Sequence, residues 1–486
     1  MVFNSFSFLI FFIVVFFAYF FVFKKTAKMQ NRLILLASYF FYGYADWRML
    51  PLLLIATLLF YSLGIAIAKN NSKNEKMASR LTTLSVVLGV GILLYFKYLN
   101  FFVESFAALF NSFGLHTNIS TFNIIMPIGV SFFTFKLISY AVEIHRERIE
   151  PSKDIVEFAT YIAFFPTILS GPIDRPNKFI PQLQKKREFD YNLAVDGCRQ
   201  ILWGLFTKMV IADNIAKITD AAWNNIGEQT GAQLLYVALL YPIQMYTDFD
   251  GYSNMAIGVG KILNIKITRN FNHPYVARNV AEYWRRWHMS LTSWLTDYVF
   301  SPLNIAFREY GKTGLIFAII INMILVGLWH GANWTFGVFG LYHGLLFVPL
   351  ILSGSFMKKK KLGENTYGLP MLQDFLKMIS TYLLVAIGHL IFRAENISQV
   401  GEYFSQMAST SIISFGSIYG KNLFFFCIFI LILEWIQRDK EYVLQITDSK
   451  YFKNVYLRWS LYMCITWSCM YCFFTMDKSE FIYFQF

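Results

Sequence analysis

Apolar runs of about 20 residues recur along the whole chain, the length a helix needs to cross a bilayer. One of them, residues 315–328, holds a single polar residue, Asn322, and no charge. Lipid offers no partner to backbone N–H and C=O groups, so a spanning segment must satisfy them itself as a helix or a closed barrel. Barrel strands alternate in polarity over about ten residues, a pattern absent here. Soluble proteins average about 45–50% apolar residues, whereas this chain is 56% hydrophobic. The expected fold class is all-α: a polytopic integral membrane protein with about 12 transmembrane helices plus re-entrant and amphipathic helices.

The first segment, residues 2–23, has no basic residue before it, an apolar stretch too long for a signal peptide and no small-residue cleavage site. It reads as a retained helix. Cys198, Cys427, Cys464, Cys469 and Cys472 all lie in apolar segments. The CxxC spacing of Cys469 and Cys472 lacks the βαβ context of a redox motif, so packing thiols are the better reading. A formal charge of +13 suggests nucleic acid at first sight. The basic residues cluster instead in short loops between apolar runs, which reports orientation and excludes a nucleic-acid ligand as their explanation.

Those loops set the topology. Lys24, Lys25, Lys28 and Arg32 follow the first helix, placing that loop inside and the N-terminus outside. Helices near 33–45 and 49–68 lead to Lys69, Lys73, Lys76 and Arg80; helices near 81–96 and 124–142 lead to His145, Arg146 and Arg148. Segment 155–171 has basic flanks on both sides (Arg175, Lys178, Lys185, Lys186 and Arg187 follow it), so it is expected to be re-entrant. Helices near 191–214 and 230–250 precede a polar inner stretch at 261–286. Further spans are expected near 313–330, 332–353, 370–392, 420–437 and 459–476, with both termini outside. No soluble domain fits, leaving one membrane domain over 1–486 with an aromatic tail at 477–486.

Two segments carry the chemistry. Gly327-Leu328-Trp329-His330-Gly331-Ala332-Asn333-Trp334 puts a histidine at the end of a charge-free apolar run. An ionisable side chain at membrane depth is costly unless it is paired or faces a cavity. Imidazole titrates near pH 6.5 and is kept neutral by apolar surroundings, which suits a general base for a hydroxyl. His330 is either that base or a core histidine bonded to a carbonyl. Glycines on both sides permit close approach, and Trp329 and Trp334 can wall a slot, so the base is preferred. The second segment is Tyr283-Trp284-Arg285-Arg286-Trp287-His288, and residues 283–302 read as one amphipathic helix near the inner face. It is either a tryptophan–arginine interface anchor, or Arg285, Arg286, Trp284 and Trp287 grip an anionic acyl donor while His288 assists the base. Asp248 and Asp250 close the preceding helix at the inner boundary; they either pair with Arg285 and Arg286, the preferred structural reading, or line the donor entrance. Gly258-Val259-Gly260-Lys261 lacks the strand and spacing of a phosphate loop. Metal-ligand spacing and a Gly-x-Ser-x-Gly elbow are both missing, so neither a metal nor a resident cofactor is expected.

Taken together these residues resemble the membrane-bound O-acyltransferase family, most closely its bacterial alginate O-acetyltransferase branch. The resemblance runs through Val2-Phe3-Asn4-Ser5, Met126-Pro127-Ile128-Gly129-Val130-Ser131-Phe132-Phe133-Thr134-Phe135, Phe164-Phe165-Pro166 and Ser170-Gly171-Pro172. It continues through Lys208-Met209-Val210-Ile211-Ala212-Asp213, both histidine segments and Phe481-Ile482-Tyr483-Phe484-Gln485-Phe486. Asp250 stands where that branch usually has serine and Asn254 where it usually has aspartate. The resemblance implies a helical membrane domain in the bacterial cytoplasmic (inner) membrane, with inner and outer funnels meeting at His330, His288 as the second family histidine, and Trp329, Asn333 and Trp334 lining the tunnel. It further implies transfer of an acyl group, acetyl first, from acetyl-CoA or an acyl carrier thioester across the membrane to an exopolysaccharide hydroxyl, completed by an external SGNH-hydrolase-like acetyltransferase partner. Tyr483 is then either an acyl relay, as related systems suggest, or an aromatic interface residue.

Two other readings compete. One is D-alanyl transfer to a teichoic-acid-type polymer, where the aromatic tail usually sits on a separate small protein. The other is a flippase for an envelope precursor, which usually carries internal repeats, and no convincing repeat is found. The orientation is directly testable: a cysteine placed at Lys359 should resist an impermeant thiol reagent in intact cells. Labelling there would invert the later topology.

Overall fold

The computed structural model describes residues 1–115, 121–122, 124–358, 368–409, 420–446, 452–475 and 481–482. Regular structure among them is helical. The order is α1 (Phe6–Phe17), α2 (Ala27–Asp46), α3 (Leu50–Asn71), α4 (Glu75–Leu93), α5 (Leu99–Ser112), α6 (Val130–His145), α7 (Ile155–Ala163), α8 (Pro176–Leu183), α9 (Tyr191–Leu205) and α10 (Asp213–Asn224). Then come α11 (Gly231–Ile262), α12 (Val280–Trp284), α13 (Met289–Leu295), α14 (Ser301–Ala306), α15 (Gly311–His330), α16 (Trp334–Leu352), α17 (Leu372–Arg393), α18 (Ile397–Ser409), α19 (Lys421–Ile436) and α20 (Val455–Thr475). Among the described residues, five stretches are long and apolar enough to cross a membrane: Ala27–Asn71, Glu75–Ser112, Arg308–His330, Trp334–Leu352 and Leu372–Arg393. Phe6–Val22 and Asn422–Ile436 are shorter apolar helices. The larger expected total rested also on segments such as α11, whose Gln244, Thr247, Asp248 and Asp250 dilute its apolar character. Large apolar side chains such as Phe17, Phe21, Leu36 and Phe425 stand exposed, a surface suited to lipid and unfavourable in water.

The chain packs as two units, residues 1–201 with 255–268, and residues 202–254 with 269–486. In the first unit α7 has nine residues. At about 1.5 Å per residue it is far shorter than a hydrocarbon core of about 30 Å, as the re-entrant reading of 155–171 requires. The irregular backbone after it is fully buried and is held by Lys136 of α6, whose Nζ donates to Thr167 Oγ1 (2.8 Å) and to the Tyr161 carbonyl (3.3 Å). Arg187 is buried as well. Its guanidinium donates to Tyr19 Oη (2.6 Å), Asn31 Oδ1 (2.7 Å) and the carbonyls of Leu183 and Lys185. A charge that the sequence offered only as a marker of an inside loop is thus a structural knot joining α2 to the approach to α9.

In the second unit α15 and α16 form a tight antiparallel pair. A Cβ at Gly327 would lie 2.0 Å from the Phe336 carbonyl oxygen, and one at Gly340 2.3 Å from that of Met323. Only glycine allows this backbone contact; Gly340 and Gly344 form the small-xxx-small spacing that serves such packing in lipid. The pair fixes His330 at the last turn of α15.

Two expected elements differ. The helix expected at 230–250 runs on to Ile262 as α11, 32 residues long. Nothing stops it until Asn264, which takes a positive φ of 56°, so Asp248 and Asp250 lie within the helix and do not end it. The amphipathic helix expected over 283–302 is broken into α12, α13, a π-helical turn at Thr296–Phe300 and α14. The break is at His288.

Candidate functional site

His288 takes a left-handed backbone (φ 42°, ψ 52°) at the N-cap of α13. For a non-glycine residue that conformation costs roughly 1–2 kcal/mol, so the surroundings must impose it. They do: Met289 N–H donates to the Asn270 carbonyl (2.7 Å), and Asn272 N–H donates to the Arg286 carbonyl (2.9 Å). Ser290 Oγ donates to Asn270 Oδ1 (2.6 Å), whose own Nδ2 donates to Ser253 Oγ (3.1 Å). The turn drives the His288 ring inward, where it is fully buried.

The ring meets Phe249 edge-on at 4.7 Å and Trp329 at 5.5 Å between centroids. Trp329 in turn lies 5.1 Å from His330, and the two histidine rings are 6.2 Å apart. Phe392 of α17 closes the other side of His330 at 5.1 Å. Two histidines from separate segments therefore share one tryptophan in an aromatic enclosure. Their separation is too long for a direct bond between them.

The remaining expected residues fall as follows. Trp284 and Trp287 are buried. Trp284 Nε1 donates to His343 Nδ1 (3.3 Å), and Trp287 stacks on Tyr283 at 5.4 Å. Arg286 donates to Glu282 Oε1 (3.1 Å) and to the Asn272 carbonyl (3.0 Å), with Arg278 clamping the other carboxylate oxygen of Glu282 at 3.1 Å. Arg285 is exposed. Asn333 caps α16 by accepting from Thr335 N–H (3.1 Å) and donates to the Glu395 carbonyl (2.6 Å). Trp334 is 60% exposed. Tyr483 lies outside the described residues, as does most of the tail; Phe481 and Ile482 are within them. The ion pairing expected between Asp248 and Arg285 or Arg286 is not formed. Asp248 pairs with Lys208 at 2.6 Å, and Lys208 also holds Asp213 at 2.8 Å; Asp250 accepts from Asn254 Nδ2 at 2.7 Å. Asp248 reaches a lysine from the preceding helical segment because it lies mid-helix.

Sequence reasoning passed over His343 of α16 and His389 of α17, both fully buried. Tyr283 Oη sits 3.4 Å from His389 Nε2, and Phe339 faces both rings, at 4.7 Å from His343 and 6.4 Å from His389. With the Trp284 bond they seat α12 on α16 and α17. The signal that singled out His330, an ionisable residue in an apolar helix, was equally present in Tyr342-His343-Gly344 and Gly388-His389.

His288 lies outside the spans, and burial pushes its pKa down from 6.5 to about 3. Below pH 6.5 the unfolded chain takes up a proton that the folded protein refuses, so stability at neutral pH is lost as pH falls through that window. Replacing His288 with Asn, which tolerates the left-handed backbone, should flatten the decline of the unfolding midpoint in detergent by about one proton, or about 1.4 kcal/mol per pH unit. An unchanged slope would mean that the ring already titrates normally.

Residues 39–383 match the family model for MBOAT, the membrane-bound O-acyltransferase family. A protein named "Probable alginate O-acetylase" from Azotobacter vinelandii is 35% identical over 84% of this chain and 78% of its own length. A peptidoglycan O-acetyltransferase from Helicobacter pylori is 27% identical over 100% of this chain and 98% of its own. A teichoic acid D-alanyltransferase from Streptococcus thermophilus is 31% identical over 48% of this chain and 58% of its own. With a buried histidine pair on a helical, lipid-suited scaffold and a family match across most of its length, this chain is a member of the membrane-bound O-acyltransferase family, an acyltransferase of the membrane.

Proposed function

We propose that the protein transfers an acetyl group from a cytoplasmic thioester, acetyl-CoA or an acylated carrier, to a hydroxyl of a cell-envelope polysaccharide on the outer side of the cytoplasmic membrane. The observation that carries this reading is the meeting of His288 and His330 on Trp329. His330, at the end of an apolar helix, takes the hydroxyl proton as the oxygen attacks the thioester carbonyl. The C–O bond forms, the C–S bond breaks, and the departing thiolate recovers a proton. His288, kept neutral by burial, bonds the reacting oxygen from the opposite side. Arg285, exposed on the same segment, meets the anionic part of the donor, while Arg286 orients the segment through Glu282. Trp284 and Trp287 wall its donor side, and Trp329, Asn333 and Trp334 line the passage.

The aromatic segment ending in Tyr483 fits an acyl relay in this scheme: the tyrosine hydroxyl receives the acetyl group and passes it to an external SGNH-hydrolase-like partner or to the polymer. Both termini then lie outside. The named relatives act on alginate, peptidoglycan and teichoic acid, which supports an envelope-polymer acceptor. Acetyl is preferred over D-alanyl because the O-acetyl relatives align over far more of the chain.

Losing a general base typically costs about 10²–10⁴ in rate. His330→Ala should therefore abolish polymer acylation at unchanged protein level, and activity within a few-fold of wild type would remove His330 from the mechanism. Tyr483→Phe keeps the ring and deletes the acyl-accepting oxygen. It should stop acylation, while mass spectrometry of the wild-type peptide under turnover should find a labile ester on Tyr483; a fully active Phe variant leaves direct transfer as the route.

A further inference from the structure

Asp248 and Tyr252 stand one turn apart on α11 and share a face. Asp248 belongs to a buried cluster in which two carboxylates, Asp213 and Asp248, surround one ammonium, Lys208. All three side chains are buried, and a buried carboxylate oxygen is costly unless donors reach it. One such donor is the backbone N–H of Ile482, 2.8 Å from Asp248 Oδ2. Beside it the Phe481 ring stacks on Tyr252 at 4.6 Å and leans on Phe249 at 6.0 Å. Phe249 is the ring that touches His288.

We propose that the Lys208–Asp213–Asp248 cluster is a docking site for the chain at Phe481–Ile482, with Asp248 as a positioning residue that holds this segment beside the His288 enclosure. The site recognises a backbone donor through a carboxylate acceptor. Lys208 aims Asp248, so a cluster that reads as a fold element also decides where the segment at Phe481–Ile482 is held. This deepens the acyl-transfer reading, and rests on it for its activity readout alone.

The test uses the full-length protein with a Tyr252→Cys and Phe481→Cys pair, whose disulfide under mild oxidation reports docking by mass spectrometry. Asp248→Ala removes the acceptor. Ile482→Pro removes the donor without touching the ion cluster, and Ile482→Val keeps it. The disulfide yield should fall about tenfold or more in Asp248→Ala and in Ile482→Pro, and stay at the wild-type level in Ile482→Val and in His330→Ala. Without the cysteine pair, polymer acylation should fall about ten- to hundredfold in Asp248→Ala and Ile482→Pro, as expected for losing a hydrogen bond to a charged group. Locking the disulfide should restore it to Asp248→Ala. Wild-type disulfide yield in both disruptive variants overturns the docking site. Lost acylation that the locked disulfide does not restore overturns the positioning role. If His330→Ala remains active while the disulfide behaves as stated, the acyl-transfer mechanism fails and the docking site stands.

Discussion

Charge removed from water costs several kcal/mol per ion unless protein groups replace the lost solvation, and the interior of this protein is organised around that penalty. Arg187 is surrounded by neutral oxygens from a tyrosine, an asparagine and main-chain carbonyls. Glu282 is gripped by Arg278 and Arg286. Lys208 gathers two aspartates. The arginine and lysine arrangements join segments distant in sequence, while the glutamate pairs hold one short segment together, so the groups most expensive to bury also fix the geometry of the elements that carry them.

The same economy shapes the histidine enclosure. Four buried histidines, 288, 330, 343 and 389, lie among aromatic rings. At His288 burial favours the neutral imidazole over the charged one. His343 accepts from Trp284, and His389 Nε2 lies 3.4 Å from the Tyr283 hydroxyl, which orients the segment delivering His288. The two pairs divide the labour: one seats α12, the other packs against Trp329.

What the sequence made legible was whatever depends on local pattern. The α15–α16 hairpin with His330 at its end follows from apolar length, two glycine-rich stretches and an asparagine cap. The short α7 follows from basic flanks on both sides. What stayed hidden depends on partners far along the chain. The break at His288 is imposed by bonds from Asn270 and Asn272, which no periodicity within 283–302 can reveal. Asp248 looked like a helix end because acidic residues usually mark an interface, and its lysine lies forty residues earlier in another helical segment. Arg187 served only as a topology marker, because its partners Tyr19 and Asn31 lie more than 150 residues earlier.

The left-handed backbone at His288 also limits how this position can change. Few side chains tolerate positive φ: glycine readily, asparagine and aspartate in part, β-branched residues hardly at all. Glycine would surrender the ring and loosen the turn, aspartate would bury a charge against Phe249 and Trp329, and most other replacements would strain the link between α12 and α13. Conformation and chemistry thus narrow the choice independently. Mutational drift at this site is confined by the backbone before any demand of catalysis is applied, so variants that restore function are to be sought at the residues imposing the turn, Asn270 and Ser290 among them.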